Sequence, residues 1–208
     1  MSEDYLRRYT DLTALIYLLH KRNITLLDPA SWDDKNDSFY LAKYKEKRKL
    51  KSVLALCLMQ SDERYHQWRV FAPGPSGVCI KFRREKLLAT VRKHAHIHMH
   101  PVTYMTLPET RGKKFKVTDL PFLKRQAFEH EDEFRIIYTS KTETLTKLDI
   151  PITLSCIEKI TLSPWMHSSL SHYVKRTLRA IHGCENLEIV RSTLISNEEW
   201  KKLGEDAR

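Results

Sequence analysis

Apolar residues recur at helical spacing from Thr13 to Lys21, where Leu15, Ile16, Leu18 and Leu19 supply one face and Asp11 a cap. Asn23–Leu27 then reads as a short strand. Pro29 opens a loop, DPASWDDKND, rich in turn formers, and Asp37 or Ser38 can cap a basic helix over Ser38–Leu50. Val53–Met59 is a continuous apolar run of strand length, which implies burial on both faces. Ser61 or Asp62 caps a helix running to about Phe71, and Pro73, Gly74, Pro75 and Gly77 break the chain after it. Val78–Phe82 is the next strand, followed by a helix from about Arg84 to His94 and a strand over His96–Tyr104. Thr106–Thr118 reads as a basic loop, with a helix ending near Phe128. Strands follow over Glu133–Ser140 and Ile157–Leu162. A helix over His167–His182 stops at Gly183, Leu187–Arg191 is a late strand, and Asn197 caps a last helical turn.

Helices and strands mingle without a regular βαβ rhythm, which predicts an α+β fold: a single domain over 1–208 with a mixed, largely antiparallel sheet flanked by helices. A chain of 208 residues that is 41% hydrophobic can bury a real core. No stretch of about 18 apolar residues is present, and the start, MSEDYLRRYTDL, has no apolar signal core. A cytoplasmic protein without a membrane partner is the expectation. Cys57, Cys79, Cys156 and Cys184 are far apart and form no CxxC pair, so buried free thiols are expected and no metal.

Charge adds a candidate partner. The formal net charge is +10, from 36 Lys and Arg against 26 Asp and Glu. One cluster comprises Lys43, Lys45, Lys47, Arg48, Lys49 and Lys51, and a second Arg111, Lys113, Lys114, Lys116, Lys124 and Arg125. Both can be solvated surface; the sharper reading is phosphate contact with a nucleic acid, through Lys45, Lys47, Arg48, Lys113 and Lys114.

Four segments carry candidate chemistry. In FEHEDEFRIIYTS, strand alternation puts Glu131, Glu133 and Arg135 on one face and Phe134 and Ile136 on the other. That is either a surface salt network or a carboxylate pair that holds sugar hydroxyls and steadies a cationic transition state, with Arg135 setting charge and geometry. In WDDKND, three acids and an Asn follow Trp32. A capping turn explains most of this, and the pattern is not a calcium loop. In SDERYHQWRVF, helical spacing groups Arg64, Trp68 and Phe71; Trp68 is either core or a platform for a flat ring. In HAHIHMH, a strand would align His94, His96, His98 and His100 as a solvated face.

In succession these segments resemble the bacterial domain-of-unknown-function family 2971. The resemblance runs from Arg7, Arg8 and Tyr9 through LLDPASWDDKND, an apolar strand ending in Gln60 and Ser61, and QWRVFAPGPSGVCIKF to FEHEDEFRII, over about residues 5–165. The chain departs from the family pattern at Trp32-Asp33-Asp34-Lys35, at Phe71 and at Phe128. A more distant resemblance is to ADP-ribosyltransferases, through Arg8, then Ser61 with Trp68, then Glu131 with Glu133. It implies NAD as the donor and a nucleic acid or protein as the acceptor, with bacterial or phage conflict as a setting. Glu133 would bind the ribose and face the developing oxocarbenium charge, Glu131 would orient or deprotonate the acceptor, and Arg8 would meet the pyrophosphate. Tyr9, Ser61, Trp68 and Phe71 would complete the NAD site. Such a site needs no glycine-rich fingerprint, consistent with only 5 Gly. Two other readings stay open: a non-catalytic nucleic-acid-binding module, and a nuclease holding Mg²⁺ on Asp33, Asp34, Asp37 and Glu131.

Overall fold

The computed structural model describes residues 4–205. In chain order the elements are β1 (Tyr5–Asp11), α1 (Leu12–Lys21), β2 (Asn23–Leu27), α2 (Lys35–Lys47), β3 (Ser52–Met59), α3 (Tyr65–Phe71), β4 (Gly77–Arg83), α4 (Arg84–Val91), β5 (Ile97–Pro101), β6 (Thr103–Met105) and α5 (Leu107–Thr110). They continue with β7 (Leu123–Arg125), β8 (Glu133–Ser140), β9 (Lys147–Pro151), β10 (Ile157–Leu162), α6 (Ser168–Arg179), β11 (Ile189–Arg191) and α7 (Glu198–Glu205). The fold is α+β in a single domain, as the mingled periodicities predict.

Nine strands form one sheet in which only β10 and β11 run parallel. One path is β11-β10-β4-β1-β3, and β8 then β5 lie beyond β3. β3 is the pivot. β8 covers one of its edges from Ser52 to Met59, while the other edge is met by β1 at Met59 and by β2 at Ala55. The sheet therefore parts at Cys57, between two different neighbours.

Paired residues share a face, and alternate residues change face. One face carries Leu6, Leu56, Leu58, Ile80, Phe82, Phe134, Ile136 and Ile160, packed with Leu15, Leu18 and Leu19 of α1 and Leu87 and Leu88 of α4 into the main core. The other face holds two smaller clusters. Tyr9, Met59, Cys79 and Trp68 gather under α3, and Val53, Ala55, Ile137, Leu41 and Tyr44 under α2. Cys57, Glu133 and Arg135 stand between them, so the polar site is built into a layer that α2 and α3 leave unfilled with hydrocarbon.

Several elements differ from the sequence expectation. Tyr5–Asp11, with Arg7 and Arg8 side by side, shows little strand pattern, yet β1 is central, paired to β4 from Tyr5 to Asp11. β9 likewise lacked a signal. The strand expected over His96–Tyr104 breaks at Val102 into β5 and β6, in different sheets; His96 adopts φ 63°, so only His98 and His100 of the four imidazoles lie on β5. The helix expected to end near Phe128 is instead two 3-10 turns, Val117–Phe122 and Gln126–Glu131, with β7 between them. Pro121 cannot donate a helical hydrogen bond there. Asp34, rather than Asp37 or Ser38, caps α2, its Oδ1 accepting from the backbone N–H of Asn36 and Asp37. Arg64, rather than Ser61 or Asp62, precedes α3, with the Gln67 side chain accepting its N–H. Gly183, at φ 80°, lies beyond the last turn of α6 where a Cβ would meet the Arg22 side chain at 2.8 Å.

Candidate active site

β8 enters the second layer with Glu133 and Arg135 on one face, as alternation predicts, but neither is at the surface. Glu133 is 1% exposed and Arg135 fully buried. The surface salt network is thereby excluded. A guanidinium has five N–H donors, and here all five are used. Nε donates to Glu133 Oε1 at 2.7 Å and NH2 to Glu133 Oε2 at 2.8 Å. NH1 and NH2 donate to Asp37 Oδ1 and Oδ2, each at 2.8 Å, and NH1 also to the Pro121 carbonyl at 2.8 Å. Asp37, in the first turn of α2 and 3% exposed, is therefore a structural counter-ion and not a cap.

Lys124 joins this cluster. β7 pairs with β6 so that Lys124 stands opposite Tyr104, whose hydroxyl accepts the backbone N–H of Glu133 at 2.9 Å. The Lys124 ammonium is 2.6 Å from Glu131 Oε2, 3.5 Å from Glu133 Oε2 and 3.7 Å from Asp37 Oδ2. Glu131 does not reach the cluster by strand alternation. It ends a 3-10 turn, and Asp132, at φ 47°, reverses the chain before β8. Glu131 is 4% exposed all the same.

Three carboxylates thus face two cations in a desolvated pocket, which leaves one negative charge unbalanced. Burial pushes Glu133 up, but the charge and hydrogen bonds of Arg135, with Lys124, outweigh it and hold the carboxyl at about 2. Burial raises Glu131 and Asp37 above the ordinary carboxylate range, more than Lys124 and Arg135 lower them. Burial would lower Lys124, but Glu133 and Glu131 raise it. The site is short of one positive charge, which a proton or a cationic ligand can supply.

Above this cluster opens a cavity of about 410 Å³, within the range of small-molecule sites. Its polar lining includes Glu131, Glu133, Lys124 and Asp37, its aromatic walls are Trp32, Phe71 and Phe128, and Cys57 and Met59 also line it. Arg135 lies 5.1 Å from the Trp32 ring centroid and Lys124 4.9 Å from that of Phe128, so cations back two of the aromatic walls. Burial, reinforced by Glu133, keeps the Cys57 thiol protonated well beyond its ordinary range.

The residues named from sequence divide sharply. Glu131, Glu133 and Phe71 line the cavity, and Arg135 stands behind it. Tyr9, Ser61 and Trp68 form a buried scaffold. The Tyr9 hydroxyl donates to Gln67 Oε1 at 2.8 Å, Gln67 Nε2 donates to Ser61 Oγ at 2.7 Å, and Tyr9 meets Trp68 edge-on at 5.2 Å. Trp68 is fully buried with its Nε1 donating to Glu63 at 2.7 Å, so its ring offers no face to a ligand. Arg8 starts from the opposite face of β1, beside Ile80, and is not in the cavity wall. Burial lowers its pKa, and Asp11 and the cavity residue Cys57 are its electrostatic neighbours. Lys45, Lys47 and Arg48 are at the far end of α2, off the cavity, and Lys113 and Lys114 are exposed on the loop after α5. Lys124, Trp32 and Phe128 were not singled out for the site, and Asp37 only as a metal ligand of the nuclease alternative. Trp32 and Phe128 sit at departures from the family pattern, the one signal that pointed to them. Trp68→Ala is expected to lower stability by about 3–5 kcal/mol, as judged by chemical denaturation.

Fold and cavity together define a single α+β domain with a buried, net-acidic, aromatic-walled site. The model of a family described as protein of unknown function (DUF2971) matches residues 67–136, the stretch from Gln67 through Ile136 that carries much of this site. No curated protein matches. Two solved structures of DarT from Thermus sp. 2.9, in complex with NAD+ and with ADP-ribosylated ssDNA, are similar to this chain with TM-scores of 0.47 and 0.46, each at 9% identity. They cover 92% of this chain and 96% and 95% of their own. Among the described residues no group of three or more His, Cys, Asp or Glu is placed to hold a metal, and no helix is long and apolar enough to cross a membrane.

Proposed function

We propose that the cavity binds NAD and that the protein transfers ADP-ribose to a nucleophilic acceptor. The observation that carries this reading is the unbalanced negative charge beneath aromatic walls. The nicotinamide end of NAD is a flat aromatic cation, and cleavage of its bond to ribose moves positive charge onto the sugar. Trp32, Phe71 and Phe128 suit the ring, and the Glu131–Glu133 floor suits the developing charge. Glu133 is the best-fixed carboxylate. Arg135 and Lys124 keep it ionised; Oε2 accepts from both cations, whereas Oε1 accepts from Arg135 alone of the two and is the oxygen left to accept from a ribose hydroxyl.

In the reaction, the bonding pair of the C1′–N bond leaves with nicotinamide, which departs neutral. The acceptor donates an electron pair to C1′ and gives up a proton. Glu131, whose proton affinity burial raises, is the group proposed to orient the acceptor and take that proton. Arg8 would reach the pyrophosphate from the parting of the sheet at Cys57. The Mg²⁺-nuclease alternative fits less well, because Asp37 is engaged by Arg135 and Glu131 by Lys124, and among the described residues no group of three or more His, Cys, Asp or Glu is placed to hold a metal.

The test is NAD titration calorimetry with nicotinamide release, measured with and without DNA, RNA and cell lysate. Saturable binding with release is expected. Phe128→Ala is expected to raise the Kd for NAD about tenfold, the loss of a stacked aromatic contact. Absence of both binding and release under all conditions would overturn the reading.

A further inference from the structure

Four cations crowd one face of the sheet, and none of them lines the cavity. Arg7 on β1 is in register with Lys81 on β4, and Lys81 with Lys159 on β10, so three like charges stand abreast on neighbouring strands. Arg83 comes two residues after Lys81 on the same face of β4. Like charges directly opposite each other in a sheet are destabilising, and a bulge in β10 creates one of these contacts. Ile157 pairs with Phe82, and Lys159 rather than Glu158 pairs with Lys81. Continued regularly from Ile157, the ladder would set Glu158 opposite Lys81, an attractive pair. The one extra residue puts a lysine there instead. The nearby carboxylates are committed elsewhere, Asp62 to Arg7 and Glu158 to Arg83. Among the described residues Lys81 and Lys159 make no ion pair, and the Lys81 ammonium rests 3.6 Å from the Tyr5 ring centroid. Both lysines are half-buried. Burial, then Arg7 and Lys159, lower the Lys81 pKa against the opposing pull of Glu158 and Asp62. Four cations against two carboxylates leave two positive charges without a counter-charge.

We infer that the row Arg7, Lys81 and Lys159 is a binding site for a compact dianionic oxyanion, inorganic phosphate or a phosphate monoester. Neighbouring strands lie about 4.8 Å apart, so the three positions span about 10 Å. An arginine and two lysines are long enough to converge from there on one tetrahedral group, and hydrogen bonds from ionised donors to phosphate oxygens are among the strong ones. A dianion matches the two uncompensated charges and relieves the repulsion that the bulge imposes. An extended polyanion fits worse. Asp62 is held at the Arg7 end of the row and Glu158 adjoins Lys159 at the other, so a string of phosphates running along it would meet a carboxylate at each end. A single phosphate meets neither. The site is independent of the transferase reading, since it uses no residue of the cavity.

Titration calorimetry of the full chain tests this, with inorganic phosphate, glycerol 3-phosphate and heparin as ligands in chloride buffer held at constant ionic strength. Saturable binding of one phosphate group per chain is expected. Lys159→Met is expected to raise the phosphate Kd about tenfold or more, through loss of a charged hydrogen-bond donor, and Lys159→Arg, which keeps the charge, to restore most of the affinity. Urea denaturation gives a second readout. In phosphate-free buffer Lys159→Met is expected to raise the urea midpoint, because it removes a like charge from the row. Added phosphate is expected to raise the midpoint of the wild type and not that of the variant. Tighter binding of glycerol 3-phosphate than of phosphate would identify a monoester as the ligand, and the reverse the free anion. The inference is overturned if phosphate neither binds nor stabilises beyond chloride of equal ionic strength, if Lys159→Met binds phosphate like wild type, or if heparin alone depends on Lys159. Displacement of phosphate by NAD would assign the row to the NAD site and overturn it as a separate one.

Discussion

Arg135→Met is expected to leave the protein unfolded or barely folded at pH 7.5 and 25 °C. The side chain is fully buried, and its five N–H groups satisfy Asp37, Glu133 and the Pro121 carbonyl. Methionine has similar volume and none of the donors. It would leave two carboxylates, each at 1% side-chain exposure, opposed only by Lys124. Removing one partner of a buried pair costs about 3–5 kcal/mol, and whole domains of this size are stable by about 5–15 kcal/mol. The variant should also respond to pH in the opposite sense to Glu133 of the wild type. In the wild type, Arg135 holds Glu133 at about 2, below its unfolded value, so its contribution is present above about pH 4.3 and is lost as pH falls toward 2. Without Arg135, burial would raise Glu133 above its unfolded value and Asp37, already raised, further still. The folded variant would then bind more protons than the unfolded chain and would gain stability as pH falls from 8 toward 5. Urea denaturation at both pH values measures this; a variant within about 1 kcal/mol of wild type at pH 7.5 would refute the account.

Glu133→Gln separates chemistry from folding. The amide keeps the shape and one acceptor, but its NH2 meets an Arg135 N–H that needs an acceptor. Arg135 keeps both oxygens of Asp37, so the expected loss is about 1–3 kcal/mol, and the protein stays folded. The site's net charge goes from one negative to none, which removes its demand for a cation. Nicotinamide release is expected to fall by about 10²–10³ in kcat, and KM for NAD to rise by a smaller factor, because the nicotinamide cation loses part of its attraction to the site while the charge on the sugar develops only as the bond breaks. Release within tenfold of wild type, in protein shown to be folded by denaturation, would remove Glu133 from the reaction.

The sequence disclosed the segments whose pattern is local. β8 is readable to the residue because Phe134, Ile136, Ile137, Tyr138 and Thr139 are a dense β-forming run, and the pairing of Glu133 with Arg135 follows from strand alternation alone. β10 is readable for the same reason. What escaped depends on distant partners. Asp37 and Arg135 are 98 positions apart, and nothing in WDDKND distinguishes a cap from a counter-ion. Lys124 looked like one cation of a surface cluster, yet a three-residue strand turns it inward onto Glu131. Trp68 at helical spacing is compatible with either face of α3, and the bond of its indole to Glu63 decides for burial. β1 escaped because Arg7 and Arg8 interrupt its alternation. Arg7 donates to the Ser61 carbonyl and to Asp62, a use no spacing announces.

The way Arg135 is bonded has a consequence for descent. It ties α2, β8 and the turn at Pro121 together, so selection for a folded chain would hold Asp37, Glu133 and Arg135 whether or not chemistry persists. A homologue that had lost catalysis would keep these three residues and drift first at Trp32, Phe128 and Glu131, which line the cavity without anchoring it. Retention of the Glu-x-Arg pair would then be poor evidence of a working enzyme, and the cavity walls would be the better diagnostic.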